Sequence, residues 1–251
     1  MIIDKPQTKN IPQLRHLWQE AFGDTDAFLD SFFTTGYCPD RCQCISFDGR
    51  IAAALYWFDC YWEEKKLAYI YAVATDKAFR GRGLCRMLME DTHQHLRALG
   101  YQGAVLVPGD ADLFHLYEKL GYVRFCPMER VTIESVSDAL PLTPLRPEAF
   151  CQIRRNMLPA GGLLQEGATL SFLACFTEFY AGQDSLMCLS REEDTLYFQE
   201  YLGPPEALPG VLAALGAKKA LVRIPGGEAY AMYLPLDENL TPPNYLGISL
   251  E

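Results

Sequence analysis

Apolar and polar positions along the chain fall into two periods, and the changes between them mark the elements. After Asn10, a natural N-cap, Ile11, Leu14, Leu17, Trp18, Ala21 and Phe22 recur at helical spacing until Gly23, which predicts a first helix. A second helix is expected over 26–33, with Phe28, Leu29, Phe32 and Phe33 turned inward. The pattern then alternates two by two over 43–47, 51–60 and 67–74, broken by Asp48–Gly49 and by the charged tip Glu63, Glu64, Lys65, Lys66. That is an antiparallel meander. Helical spacing returns with Leu84, Met87, Leu88, Leu96 and Leu99 and ends at Gly100. A short apolar strand, 103–107, follows, and it lies parallel to the third meander strand if the helix between them is a right-handed crossover. Pro108 removes a donor at its end, as suits two strands that part to admit a ligand. The next helix, 111–120, aligns Leu113, Phe114, Tyr117 and Leu120. His93 and His95, two positions apart, face different sides and read as solvated.

From Val131 the pattern changes. Pro141, Pro144 and Pro147 predict an extended linker over 137–146 between a domain at 1–136 and another at 147–251. Beyond it, helices are expected near 147–157 and 168–180, strands near 185–189 and 195–202, a helix near 207–215, strands near 220–224 and 229–234, and a last strand at 245–250. This order echoes the first half, so the second is either a degenerate repeat of the first or an unrelated α+β cap.

Chemistry enters at 67–85, where LAYIYAVAT runs into DKAFRGRGLC. A strand followed by glycines at a helix start is an anion site: the first turn of a helix has unpartnered N–H groups, and glycine lets an anion approach them. Arg80 and Arg82 add the charge a diphosphate needs. The later stretch LVPGDADLFHLYEKLGYVRF places a tyrosine one helix and one strand further on.

Together RGRGLC and LYEKLGY, in that order, resemble the pyrophosphate signature and the tyrosine-bearing fourth helix of the GCN5-related N-acetyltransferases, the GNAT superfamily, in its bacterial tandem form. The resemblance implies an α/β chain with a mixed sheet, a GNAT fold followed by a second, degenerate GNAT-like domain without a cofactor loop. It implies an acetyl-CoA-dependent N-acetyltransferase that moves an acetyl group to a primary amine, on a small molecule or a peptide N-terminus, by direct transfer in a ternary complex. Carried over residue by residue, Val73, Ala74 and Thr75 meet the pantetheine, Arg80, Gly81, Arg82, Gly83, Leu84 and Cys85 hold the pyrophosphate, and Tyr117 protonates the departing thiolate. The first two helices would wall the acceptor site, with Trp18, Phe22 and Tyr37 as lining. Cys85 stands where the family has glycine or alanine, Asp76 and Lys77 replace its proline-containing turn, and Pro108–Gly109 replace its asparagine. In the second half Pro204 and Pro205 occupy the place of anion-binding amides. The alternative is an inactive CoA-binding or regulatory protein on the same scaffold. Asp59, Glu63, Glu64, Glu129 and the terminal Glu251 are candidates for the base. No cysteine has the paired base of a covalent nucleophile.

A net charge of −10 argues against a nucleic-acid partner and suits a cationic one. Nine cysteines without paired spacing predict a reduced, cytoplasmic protein, and Cys38, Cys42 and Cys44 lack the fourth ligand of a zinc site, so no metal is expected. No apolar run approaches the ~20 residues of a membrane span, so no membrane partner is expected either. The oligomeric state is not legible.

Overall fold

The computed structural model describes residues 1–136, 138–237 and 240–250. In the first half the chain forms β1 (Ile2–Asp4), α1 (Ile11–Phe22), α2 (Asp26–Ser31), β2 (Cys42–Phe47), β3 (Arg50–Trp62), β4 (Lys65–Thr75), α3 (Leu84–Ala98), β5 (Gly103–Leu106), α4 (Ala111–Glu118), β6 (Val123–Phe125) and β7 (Met128–Glu134). The second half forms β8 (Thr143–Leu145), α5 (Pro147–Met157), β9 (Leu164–Gln165), α6 (Ala168–Leu173), β10 (Glu178–Ala181), β11 (Leu186–Glu192), β12 (Thr195–Leu202), α7 (Leu208–Ala214), β13 (Lys219–Pro225) and β14 (Ala231–Pro235).

These strands make two mixed sheets. The first has the order β1-β2-β3-β4-β5-β14-β6, with β9 added against β3; the second has the order β7-β13-β12-β11-β10-β8. In each, an antiparallel meander leads across one helix to a parallel neighbour: β4 to β5 over α3, and β12 to β13 over α7. The repeated order expected of the second half is therefore present, and the fold is the expected mixed α/β one, with two sheets. A strand from each half completes the other half's sheet. β14 runs antiparallel between β5 and β6, while β7 runs antiparallel beside β13. The expected boundary at 137–146 thus separates helices and meanders but not sheets. The linker itself carries β8, an edge strand in which Pro144 costs no ladder bond on its open side.

α1 and α2 cover one face of the first sheet, and α3 and α4 the other. Leu14, Leu17, Trp18, Leu29 and Phe32 share a buried cluster with Tyr56, Phe58, Tyr69 and Val105. On the opposite face Leu84, Leu88, Leu96, Phe114 and Tyr117 pack against Leu55, Trp57, Ile70 and Leu106. The first cluster continues without a break into Phe150, Phe172, Phe179, Leu246 and Ile248 of the second half. The halves share a core.

Four expectations are corrected. The second helix stops at Ser31 and gives way to a π-turn, Phe32–Gly36, where Gly36 packs against the Phe32 and Phe58 rings and a Cβ would be crowded. The helix expected to reach 180 ends at Leu173, since Phe179 and its neighbours pair with β11. Residues 246–250 are buried but join no ladder, Gly247 taking a left-handed φ of 74°, and Tyr245 makes a single bridge to Gly162. His93 is buried at 5% exposure and hydrogen-bonds through Nε2 to the Tyr122 hydroxyl, 2.8 Å away. The wider apolar face of α3 wins over the bland polar reading of that histidine.

Candidate active site at the parting of two strands

β4 and β5 are paired only from Leu67–Gly103 to Tyr69–Val105. Beyond that they part. β4 has a bulge there: Ala54 pairs with Ala74 and Tyr56 with Tyr71, so Ala72 and Val73 together oppose Leu55, and Ala72 takes a left-handed conformation, φ 49°. A bulge leaves its extra residue outside the ladder and twists the strand away from its neighbour.

The opening is the mouth of a cavity of about 640 Å³ that passes through the sheet. Residues 69–73 of β4 and 106–109 after β5 form its edges. On the α3–α4 side it is lined by Leu113, Phe114 and Tyr117, and on the α1–α2 side by Trp18, Phe22, Asp24 and Phe28. The second half closes it with Met128, Glu129 and Arg130 of β7, Arg223 of β13, the Glu228–Tyr230 stretch and Leu250. Its volume falls in the ~300–1,000 Å³ range of small-molecule sites.

The glycine–arginine loop follows from the same strand. Asp76 accepts from the Ala78 N–H at 2.8 Å and pairs with Arg50 at 2.7 Å, which starts a tight turn without proline. Arg80 then folds back, its Nε donating to the Thr75 carbonyl at 3.0 Å. Gly81 and Gly83 have φ 75° and 74°, conformations that disfavour a side chain, and space is open where a Cβ would stand. Gly83 is the N-cap of α3, so the unpartnered N–H groups of a fifteen-residue helix open onto this loop beside the exposed Arg80 and Arg82. The loop fits a diphosphate.

Cys85, in the first turn of α3, is half-buried. Burial holds the Tyr117 phenol above its ordinary pKa, and the Asp110 carboxylate pushes the same way. Asp110 itself caps α4, accepting from Asp112 and Leu113 N–H groups at 3.0 Å. Burial likewise raises the Cys85 thiol, which keeps it protonated beside the loop.

Of the residues predicted from the sequence, Val73 and Tyr117 line the cavity, as do Trp18 and Phe22. Ala74 turns into the core under α1, and Thr75 pairs with Ala53 at the end of β4. Arg80 to Cys85 form the loop beyond it. Tyr37 packs against Phe32 and Phe33 and is not among the lining. Among the candidate bases, Glu129 borders the cavity, whereas Asp59 is held by Tyr101, Arg41 and Lys66 on the far stretch of β3. Glu63 and Glu64 stand at the β3–β4 hairpin tip, and Glu251 lies outside the described residues. Asp24, Arg223, Glu228 and Tyr230 were missed: nothing local in the sequence relates a turn after α1 or the β13–β14 connection to the strand opening.

Residues 3–125 match the family model of the acetyltransferase (GNAT) domain. That stretch contains the parted strands, the loop and the tyrosine. This segment belongs to the GNAT superfamily. Solved structures share the fold over most of the chain. A GCN5-related N-acetyltransferase structure from Anabaena variabilis superposes with TM-score 0.73 at 17% identity, covering 94% of this chain and 72% of that one. One from Kribbella flavida gives 0.72 at 15%, covering 94% and 71%. An acetyltransferase candidate from Pyrococcus horikoshii gives 0.66 at 13%, covering 99% of this chain and 95% of its own. No curated protein matches the sequence. Likeness at these identities carries the fold and leaves the acceptor open.

The second sheet has its own parting, and it is closed. β12 and β13 pair from Thr195–Lys219 to Phe198–Val222 and then separate. Residues 244–250 cross the gap: the Tyr245 hydroxyl donates to Glu200 of β12 at 3.2 Å, and Arg223 of β13 donates to the Ser249 hydroxyl at 3.1 Å. Behind them Arg154 of α5, fully buried, grips Glu200 with Nε and Nη2 at 2.6 and 2.9 Å. At the start of α7 the Leu140 side chain packs on Gly210, and its N–H donates to the Gly210 carbonyl. A smaller cavity, of about 210 Å³, lies in this half between Leu140, Leu142, Ser185 and Pro204.

Proposed function

We propose that the protein is an acetyl-CoA-dependent N-acetyltransferase acting on a primary amine, with one active site in the first sheet and a second sheet that shapes the acceptor side. The observation that carries this reading is a cavity at the parting of β4 and β5 with Tyr117 on one side and carboxylates and aromatic rings on the other, while the glycine–arginine loop follows from the end of the same β4.

The loop of Arg80 to Cys85 would hold the pyrophosphate of acetyl-CoA, with Val73 and its neighbours on β4 offering backbone groups to the pantetheine arm. The acetyl carbonyl would then lie in the slot, where an N–H left outside the ladder by the bulge at Ala72–Val73 stabilises the oxyanion as it forms. The amine arrives as a cation and attacks only after losing a proton to water or to a cavity carboxylate such as Glu129. As the N–C bond forms the C–S bond breaks. Of the two protons the nitrogen gives up, one goes to solvent and the other replaces the proton Tyr117 delivers to the thiolate. Because burial keeps the Tyr117 hydroxyl protonated, the donor is ready throughout the neutral range.

Tyr117→Phe keeps the ring contact with Tyr122, at 5.7 Å between centroids, and removes the hydroxyl. It should lower turnover by roughly 10²–10⁴-fold while CoA affinity, read by calorimetry, and melting temperature stay near wild type. Wild-type turnover in that variant would overturn the acid assignment. CoA bound with no acetyl transfer to any amine class would instead support the reading of an inactive CoA-binding protein.

A further inference from the structure

The two mouths of the passage differ in chemistry, and the difference selects among amines. On the α3–α4 side the wall is Leu113, Phe114 and Tyr117; on the α1–α2 side it is Trp18, Phe22 and Phe28, with the carboxylate of Asp24 among them. Trp18 is buried, with Phe22 at 5.7 Å and Phe28 at 6.4 Å from its ring, and Phe28 continues to Phe176 at 5.6 Å. Phe22 and Phe176 are 47% and 39% exposed, an unusual cost for two phenylalanines on one rim. Amid these rings stands Asp24, half-buried, one of whose carboxylate oxygens accepts the Trp18 indole N–H at 2.7 Å. That bond fixes the carboxylate against the aromatic wall of the cavity that Asp24 lines. Glu129 and Glu228 also line the cavity, as do Arg130 and Arg223, the latter engaged by the Tyr230 ring and Ser249.

Resting on the transferase reading above, we propose that the acceptor is a monoamine carried on an aromatic or comparably apolar body, of the arylalkylamine class, with Asp24 as the residue that recognises its ammonium group. A cation placed against a carboxylate and an aromatic face gains from both, and the apolar body covers rings that are otherwise wet. A polyhydroxylated aminosugar would leave its hydroxyls unpaired against Phe22 and Phe28, a penalty that such a wall imposes on every buried polar group. A linear polyamine would bring further charges and no surface to cover the rim.

The test is equilibrium binding of 2-phenylethylamine, spermidine and kanamycin to protein saturated with CoA, read by quenching of tryptophan fluorescence and by calorimetry, with acetyl-CoA turnover measured in parallel. The aryl amine should bind at least tenfold more tightly than the other two. Asp24→Asn, which keeps an oxygen for the Trp18 indole, should weaken that binding tenfold or more, as expected for loss of a hydrogen bond to a charged group. Phe22→Ala should weaken 2-phenylethylamine and leave methylamine unchanged. Spermidine or kanamycin binding as tightly as the aryl amine would overturn the class, as would an unchanged affinity in Asp24→Asn. Aryl-amine binding without turnover would leave the class standing and overturn the transferase reading. Turnover of spermidine alone would do the reverse.

Discussion

Gly103 shows how closely the site is built. It opens β5, and a Cβ there would come within 2.7 Å of the Tyr233 ring of β14 and 3.1 Å of Leu67. Tyr233 is fully buried and cannot yield. Gly103→Ala should therefore cost ~1–3 kcal/mol, the usual toll of overpacking, and lower the melting temperature by several degrees in differential scanning calorimetry. A variant as stable as wild type would mean that Tyr233 has room the packing does not show. The residues proposed to bind the cofactor and donate the proton are those whose pattern is most legible in the sequence. Gly81, Gly83 and Tyr117 stand in local strings whose reason is local: positive φ at a helix start, and one helical face. Asp24 and Tyr230 carry no such string, because their role comes only from which distant strand they meet.

At the scale of elements, the meander, the crossover and the parting at Pro108 were legible because each has a period or a breaker in the sequence. The helix expected over 168–180 and the strand expected over 245–250 were not, since tertiary contacts overrode their local pattern: β11 recruits Glu178–Ala181, and the second parting draws in the C-terminal segment. α3 shows the same override with a measurable effect. Burial lowers the His93 pKa to about 4, Arg97 adds to the shift and Glu90 opposes it. The unfolded chain binds that proton near pH 6.5 and the folded one does not. His93 therefore costs nothing above pH 6.5, and stability falls as pH drops from about 6.5 to about 4, by about 2 kcal/mol at pH 5. Urea midpoints taken between pH 7 and 5 should show this slope, and His93→Gln should flatten it. A variant slope equal to wild type would assign the loss to other groups.

At the scale of the molecule, the two halves are joined by more than a linker. The exchange of β7 and β14, the pairing of β9 with β3 and the core that runs from Trp18 to Ile248 leave neither half with a closed sheet of its own. A fragment of residues 146–251 lacks β7, so the long edge of β13 is bare; a fragment of residues 1–136 lacks β14, so β6 loses the strand that holds it. Each expressed alone should be aggregated or largely unfolded by circular dichroism, and co-expression should recover a soluble pair. Either fragment folding alone with a sharp thermal transition would refute that dependence.

The placement of β14 also sets an order of events during synthesis. Residues 231–235 leave the ribosome long after β5 and β6, yet they supply the strand between them, next to the slot where transfer would occur. A nascent chain can lay down the meander, α3 and the glycine–arginine loop early, but its first sheet waits, with a gap in the middle, for a strand of the second half. A ribosome that stops before that strand therefore releases a chain whose first sheet is incomplete, and such a copy is marked by an open strand edge that quality-control proteins recognise.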